Sequence, residues 1–217
     1  MIITIFLADD HAVVRDGLRA LLEAQPDLTV IGDAANGRDA VRQMAYSCPD
    51  VAILDVAMPE LNGIEAARQL HQVCPDSRVI ILSMHSTSGH IFQALKAEVR
   101  GYLLKASAGS ELVQAIHAVM AGERYLSQKI SDRIIDDYIG RSKLGEPGDR
   151  LTQLSDRERE ILQLVVEGKS SSEIAEILVI SPKTVDTYRS RLMQKLGISD
   201  LPSLVKFAIK QGLISLE

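Results

Sequence analysis

The sequence is poor in several features that mark particular classes of protein. It has no tryptophan, 4% aromatic residues and two cysteines among 217 residues, so the core must be aliphatic and a disulfide-rich scaffold is excluded. No apolar run approaches the roughly 18 residues that a membrane-spanning helix needs. Its 24 basic residues are outnumbered by 29 acidic ones, which excludes a globally basic nucleic-acid coat but not a local basic patch.

The cysteines and the N-terminus favour a cytoplasmic protein. Cys48 and Cys74 each precede a proline. A disulfide between them is possible, but two buried thiols in a reducing compartment are the expectation. The apolar segment 2–8 is short, lacks a basic leader and runs into Asp9 and Asp10, which argues against a signal peptide.

The first 120 residues alternate between two hydrophobic periods. Five apolar runs of four to seven residues, rich in Ile and Val, are separated by amphipathic stretches of helical length. Such runs are typical of strands buried on both faces, and the alternation predicts a parallel sheet with helices on both sides. The runs are 2–8, 28–31, 51–54, 79–82 and 101–104. We therefore expect a doubly wound α/β domain of five strands over residues 1–122.

The rest of the chain divides into a linker and a helical domain. Residues 123–150 include a stretch rich in glycine, proline and charge, which is a linker composition, with a possible short helix at 130–139. Residues 151–217 show only helical periodicity and predict a smaller, all-α domain of four helices. Its second and third helices are joined by a tight turn, as in a helix-turn-helix.

Polar side chains end four of the five predicted strands. Asp9 and Asp10 follow the first strand, Asp55 the third, Ser83 the fourth and Lys105 the fifth. Ligands of open parallel sheets bind outside the carboxyl ends of the strands. Carboxylates gathered there need a cation, and hard oxygen ligands favour Mg²⁺. This arrangement predicts Asp55 as a nucleophile that attacks phosphorus.

A phosphohydrolase of the haloacid dehalogenase type is one alternative. It also uses a strand-end aspartate, Mg²⁺ and a lysine. Its chemistry needs a second acid two residues after the nucleophile to protonate the leaving group. Ala57 occupies that position, which argues against this reading.

The motifs around these residues resemble the receiver domain of bacterial response regulators. They are Asp9-Asp10, the segment 54–63 (LDVAMPELNG), Ser83 and the segment 101–105 (GYLLK). The resemblance covers residues 1 to about 122 and implies a flavodoxin-like sheet of order 2-1-3-4-5. It implies that Asp55 accepts a phosphoryl group from a sensor histidine kinase. The protein would then be no enzyme beyond assisting its own phosphorylation and dephosphorylation.

The same resemblance assigns roles to the other residues of the site. The Mg²⁺ ligands would be Asp9, Asp10, Asp55 and the backbone carbonyl of Ala57. Ser83 and Lys105 would bind phosphoryl oxygens. Tyr102 would be a switch that turns inward when Ser83 moves, although an ordinary half-buried aromatic is the alternative. Relatives usually carry glycine at the position of Glu98, which puts the local geometry there in question.

Charge is polarised within the C-terminal domain. Segment 154–180 has a net charge of −3, whereas 181–196, the third helix, has +3. One stripe of this helix is apolar and should face the core, and the opposite face should enter the major groove of DNA, although solvation alone would also explain a basic face. The residues expected to contact bases or phosphates are Lys183, Thr184, Asp186, Thr187, Arg189, Ser190, Arg191, Gln194 and Lys195.

The C-terminal motifs resemble the LuxR-type helix-turn-helix of the NarL/FixJ response regulators. They are the segments 154–160 (LSDRERE), 174–175 (IA), 181–185 (SPKTV) and 195–197 (KLG), and the resemblance covers about 151–214. It implies binding to double-stranded DNA and a dimer contact by the last helix, although that helix's apolar side also serves the core. Relatives often have Lys or Arg at Asp186 and His at Tyr188.

These expectations combine into one reading. The chain is expected to be a two-domain transcription regulator controlled by phosphorylation, active as a homodimer and without a membrane partner. One alternative remains open, in which the receiver is never phosphorylated and serves only as a dimerisation module.

Overall fold

The computed structural model describes residues 2–84, 88–141, 150–211 and 213. The chain divides into two compact units, Met1–Gly145 and Glu146–Glu217. Residues 142–149 of the expected linker lie outside the described residues. Within the described part, no helix combines the length and the apolar character needed to cross a bilayer.

The first unit alternates strands with helices. The strands are β1 (Ile3–Ala8), β2 (Leu28–Ala34), β3 (Val51–Asp55), β4 (Arg78–Ser83), β5 (Gly101–Leu104) and β6 (Tyr125–Leu126). The helices are α1 (Ala12–Glu23), α2 (Gly37–Ser47), α3 (Gly63–Val73), α4 (Ser88–Lys96), α5 (Ala108–Met120) and α6 (Gln128–Arg141). Strands β3 and β5 are almost wholly buried, as expected of strands covered by helices on both faces.

All strands are parallel, in the order β2-β1-β3-β4-β5-β6. The doubly wound fold and the order of its first five strands are therefore confirmed, but the count of five was wrong. Strand β6 pairs Tyr125 with Gly101 and Leu126 with Tyr102. Two residues are too short to show a hydrophobic period, so the sequence pattern gave no sign of this strand.

Two apolar clusters fill the two sides of the sheet. One contains buried residues of α2, α3 and α4, and the other those of α1 and α5. Ile130 of α6 is buried in the first cluster, together with Tyr102. The segment after residue 122, which the sequence analysis assigned to a linker, thus contributes a strand and a packed helix to the first unit.

Glu98 keeps the backbone conformation that glycine adopts easily. It lies just after α4 with φ of 58°, in the left-handed region that costs a residue with a side chain roughly 1–2 kcal/mol. Its Oε2 lies 3.1 Å from Nε2 of His71 on α3, and both side chains are exposed. Glu98 therefore adopts, at this position, the backbone conformation expected of the glycine that the family resemblance implies.

The second unit consists of four helices after a short 3₁₀ turn. They are α7 (Asp156–Val166), α8 (Ser171–Leu178), α9 (Pro182–Leu196) and α10 (Leu201–Lys210). Ser155 and Ser170 form the capping boxes that begin α7 and α8. The predicted four-helix domain is confirmed, and its core is a single aliphatic cluster.

Cys48 and Cys74 form a disulfide, so the expectation of two free thiols was wrong. Cys48 directly follows α2 and Cys74 directly follows α3. Since these helices lie side by side on one face of the sheet, their ends bring the two Cα atoms to 5.5 Å. That proximity is a property of the tertiary structure, which the cysteine count alone does not show.

Reducing the disulfide should destabilise the first unit. The bond joins residues 26 positions apart, and losing a crosslink over such a loop costs about 3–4 kcal/mol of unfolding free energy, because the unfolded chain gains freedom. Urea unfolding with and without dithiothreitol measures the difference. A Cys48→Ser, Cys74→Ser double variant should have the stability of the reduced protein, and dithiothreitol should not change that stability. Equal stabilities of the oxidised and reduced wild type would contradict this expectation.

Candidate functional site

The acidic residues predicted at the strand ends do meet at one edge of the sheet. Strands β1 and β3 are neighbours, with Ala8 opposite Leu54, so Asp9 and Asp55 leave the sheet side by side. Both carboxylates are buried. Lys105 follows β5, and its Nζ lies 2.7 Å from Oδ2 of Asp9 and 2.9 Å from Oδ2 of Asp55. One ammonium group therefore bridges the two buried acids.

The loop after Asp55 is held closely against the strand. The Val56 carbonyl accepts a hydrogen bond from the Gly63 amide at 3.1 Å. A Cβ atom on Gly63 would lie 2.0 Å from the carbonyl oxygen of Asp55, so only glycine fits at this position. Asn62 caps α3 by accepting from the amides of two following residues. Ala57 lies within this fixed loop.

Asp10 forms the open side of the cluster, and its side chain is 35% exposed. His11 stands beside it, with Nδ1 2.7 Å from Oδ1 of Asp10 and 3.2 Å from Oδ1 of Asp9. One ligand atom from each of Asp9, Asp10, His11 and Asp55 lies within 4.8 Å of the others. The sequence analysis gave His11 no role, although its place directly after the two aspartates was a usable signal.

An arginine also missed from the sequence fixes the acidic loop. Arg15 of α1 donates from Nη1 to the Asp9 carbonyl at 2.7 Å and from Nε to Oδ2 of Asp33 at 3.0 Å. Asp33 lies near the end of β2. Arg15 thus ties the Asp9 backbone to the neighbouring strand, and no local motif indicates this contact.

Burial and crowding set the electrostatics of the site. Burial raises the pKa of Asp55, Lys105 opposes this shift, and the Asp9 carboxylate adds to it. Burial alone would lower the pKa of Lys105, but its contacts with Asp9 and Asp55 raise it overall. Lys105 therefore stays charged while Asp55 still bears a net penalty for ionisation. The cluster gathers the carboxyl groups of Asp9, Asp10 and Asp55, an arrangement that suits a cation.

Ser83 and Tyr102 form a second, buried part of the site. Ser83 ends β4, opposite Leu104 in the register with β5, and Tyr102 is fully buried. Burial raises the pKa of Tyr102 to about 12, although a hydrogen bond with Ser83 opposes the shift. The phenol is thus neutral and linked to Ser83. The Tyr102 ring lies in the apolar interior, which is the position that a switch residue would take after turning inward.

In the second unit, a strained turn joins the two helices of the predicted helix-turn-helix. Val179 follows α8 with φ of 52°, which is unusual for a β-branched residue, and it is 89% exposed. Of the stripe predicted to face the core, Val185, Leu192 and Leu196 are buried and Tyr188 packs partly against the same cluster. That prediction of the inner face of α9 is confirmed.

The predicted DNA-contacting residues lie on the outer face of α9, but Asp186 and Lys195 are paired with side chains of other helices of the domain. All are exposed except Thr184 and Arg189, which are half-buried. The Asp186 carboxylate accepts from the Ser171 hydroxyl at 2.7 Å. Lys195 Nζ donates to Oε2 of Glu158 at 2.6 Å.

The contact between Lys195 and Glu158 joins α9 to the start of α7. The Glu158 side chain is only 4% exposed. Burial by itself would raise the pKa of Glu158, but hydrogen bonds from Lys195 and from Ser155 outweigh it and lower the pKa overall. Lys195 therefore neutralises a buried carboxylate, a role that the sequence analysis did not assign to it.

Comparisons with known proteins match both units. Residues 5–117 match the family model of the response regulator receiver domain. Residues 152–208 match that of the bacterial regulatory proteins of the luxR family. The oxygen regulatory protein NreC of Staphylococcus epidermidis is 36% identical over 214 residues, covering 97% of this chain and 98% of the relative.

Solved structures show the same likeness. A LuxR-family two-component response regulator from Aurantimonas is 37% identical with a TM-score of 0.62, over 64% of this chain and 99% of that one. The response regulator RcsB, solved as a complex with DNA, is 25% identical with a TM-score of 0.60, over 98% of this chain and 100% of that one. The sequence and structure comparisons thus both match response regulators.

Replacing Lys195 by methionine should destabilise the second unit. The variant leaves the buried Glu158 carboxylate without its cation, although its hydrogen bonds from Ser155 remain, and losing a hydrogen bond between charged groups costs about 1.5–3 kcal/mol. Hydrogen exchange of peptides from α7 and α9 measures the local effect. The matched control is Lys183→Met, an exposed lysine on the same helix, which should leave exchange unchanged. Equal protection in both variants would show that Lys195 is not structural.

Proposed function

The chain belongs to the response regulators that join a receiver domain to a LuxR-type DNA-binding domain, and we propose that phosphorylation of Asp55 controls its binding to DNA. The family comprises DNA-binding transcription regulators of two-component systems rather than classical enzymes. The observation that carries the proposal is the buried Asp55 carboxylate, bridged to Asp9 by the Lys105 ammonium. The phosphoryl donor would be a sensor histidine kinase. The protein would meet this kinase and its DNA in the cytoplasm.

The residues present fit a magnesium ion. The donor set consists of carboxylate oxygens on adjacent strands, the chemistry that Mg²⁺ prefers, and the carboxylates of Asp9 and Asp55 share the single ammonium group of Lys105. Asp9, Asp10, Asp55 and the carbonyl of Ala57 would hold the ion. When bound, Mg²⁺ would neutralise charge on the carboxylates and on the incoming phosphoryl group.

The protein's own groups would carry the transfer. A carboxylate oxygen of Asp55 forms the new O–P bond as the P–N bond of a phosphohistidine breaks, and the histidine nitrogen leaves with the electron pair. The Lys105 ammonium would bind a phosphoryl oxygen, and the Ser83 hydroxyl would donate to another. Since Ser83 is hydrogen-bonded to Tyr102, a shift of Ser83 toward the phosphoryl group would change the contacts of the buried ring.

The second unit would bind the major groove through α9. The outer face of α9 carries the basic residues. At the start of this helix, the Ser181 side chain accepts a hydrogen bond from the Thr184 amide. RcsB, which is similar across both units, has been solved with DNA. We propose that the active form is a homodimer. Leu204 and Ala208 of α10 are buried in the core, whereas Leu201 is partly exposed, so only part of the α10 stripe is open to a dimer contact.

Asp55→Asn should abolish acid-labile labelling by acetyl phosphate in the presence of Mg²⁺, because the amide cannot act as the nucleophile. Labelling is measured by intact mass and by its loss in mild acid. The matched control is Asp76→Asn, an exposed aspartate just before β4 and so at the opposite edge of the sheet, which should label as the wild type does. Undiminished labelling of the Asp55→Asn variant would refute the assignment.

Footprinting would first identify a specific genomic fragment. Arg191→Ala should weaken binding to that fragment by about 5- to 150-fold, since one bidentate base contact is worth about 1–3 kcal/mol. Lys183→Ala should instead weaken binding to all sequences and lower the salt slope by about one. Both are measured by fluorescence anisotropy over a salt series. If each variant loses as much affinity for random DNA as for the specific fragment, Arg191 does not take part in base recognition.

The same assay separates the proposal from its alternative. Acetyl phosphate with Mg²⁺ should tighten DNA binding by the wild type and leave the Asp55→Asn variant unchanged. If wild-type affinity stays constant at every protein concentration, the receiver is only a dimerisation module.

A further inference from the structure

We propose that His11 is an additional ligand of the divalent ion at the acidic cluster and shifts the site's preference from Mg²⁺ toward transition metals such as Co²⁺ and Ni²⁺. This inference rests on the proposed function, because it takes the cluster to be a site for a divalent ion. It adds a nitrogen donor to a set otherwise made of oxygen.

The first support is geometric. Asp9, Asp10 and His11 are consecutive and directly follow β1, so one short segment presents two carboxylates and one imidazole. The Nδ1 atom lies within 3.2 Å of an oxygen of each aspartate. Together with Asp55, the four ligand atoms lie within 4.8 Å of one another. Two ligands of one transition-metal ion, each about 2.0–2.2 Å from it, lie at most about 4.4 Å apart, so small adjustments bring all four into range.

The second support is that the His11 side chain contacts the aspartates of the cluster and contributes neither to the cap of α1 nor to the core. It stands at the N-cap position of α1, yet its side chain makes no capping hydrogen bond. The side chain is 65% exposed, so it is not part of the core. Its backbone amide donates to Oδ1 of Asp9 at 2.9 Å, which holds the residue beside the carboxylates. The imidazole is thus fixed near the cluster without serving the fold.

The chemistry of the donors gives the direction of the preference. Carboxylate and carbonyl oxygens suit Mg²⁺, whereas imidazole suits the later first-row metals. A site of oxygens alone would gain little selectivity from its donors. Adding one imidazole strengthens binding of Co²⁺ and Ni²⁺ far more than binding of Mg²⁺, which holds its water ligands firmly.

The full-length protein tests this directly with His11→Gln, which keeps a polar side chain but removes the imidazole. Co²⁺, Ni²⁺ and Mg²⁺ are titrated separately by calorimetry at pH 8. The ratio of Co²⁺ to Mg²⁺ affinity should fall about tenfold in the variant, the scale of losing a group that supports a metal. Proton NMR of the Co²⁺ protein should show a hyperfine-shifted imidazole N–H signal in the wild type and none in the variant.

The matched control is His117→Gln. His117 also pairs with an aspartate, with Nε2 2.9 Å from Oδ2 of Asp27, but it lies on α5, outside the cluster. This variant should keep both the wild-type affinity ratio and the shifted signal. An unchanged ratio in His11→Gln, a shifted signal that survives in it, or no binding of Co²⁺ by the wild type would each overturn the inference.

Labelling of Asp55 separates this inference from the proposed function. If the wild type labels with Mg²⁺ while His11→Gln keeps the Co²⁺ signal, only the role of His11 is wrong. If the wild type neither binds Mg²⁺ nor labels, the proposed function fails, whereas a His11-dependent Co²⁺ signal would still support the imidazole as a ligand. An equal loss of all three metals in His11→Gln would show a structural role and reject the claimed preference.

Discussion

The repulsion between buried carboxylates at one edge of the sheet is the constraint on which the first unit depends. Parallel pairing of β1 with β3 places Asp9 and Asp55 side by side, and Lys105 from β5 is the cation that lies between them. Burying like charges together is costly without such a partner. The arrangement persists because the parallel sheet positions Asp9, Asp55 and Lys105, whatever the repulsion between the two carboxylates. This arrangement lowers the stability of the fold, and added positive charge at the site would offset that cost.

Much of this was predictable because the relevant signals are local. Short apolar runs indicated β1 to β5, and the residues that end them marked Asp55 and Lys105 as parts of one site. The helical period and the tight turn between the second and third helices likewise indicated the helices of the second unit. In each case a few adjacent residues suffice, since strand and helix formation respond to hydrophobic period and end signals.

The features that were missed depend on contacts between distant segments. The disulfide requires α2 and α3 to end side by side, and β6 is too short to show a period. Lys195 looked like a phosphate contact because its charge is visible in the sequence, whereas its buried partner Glu158 lies 37 positions away. Arg15 was missed for a different reason: the backbone carbonyl of Asp9 that it binds is close in sequence, but a backbone acceptor is not visible in the residue types.

The start of α6 has a mechanical consequence for the region around Tyr102. The amide of Ser127, just before this helix, donates to the carbonyl of Tyr102 at 3.1 Å, and Ile130 occupies the same apolar cluster as the phenol ring. Close-packed interiors tolerate no sizeable void. A rotation of the ring out of that cluster would leave a void there, and a displacement of α6, a helix of fourteen residues, is one way to close it.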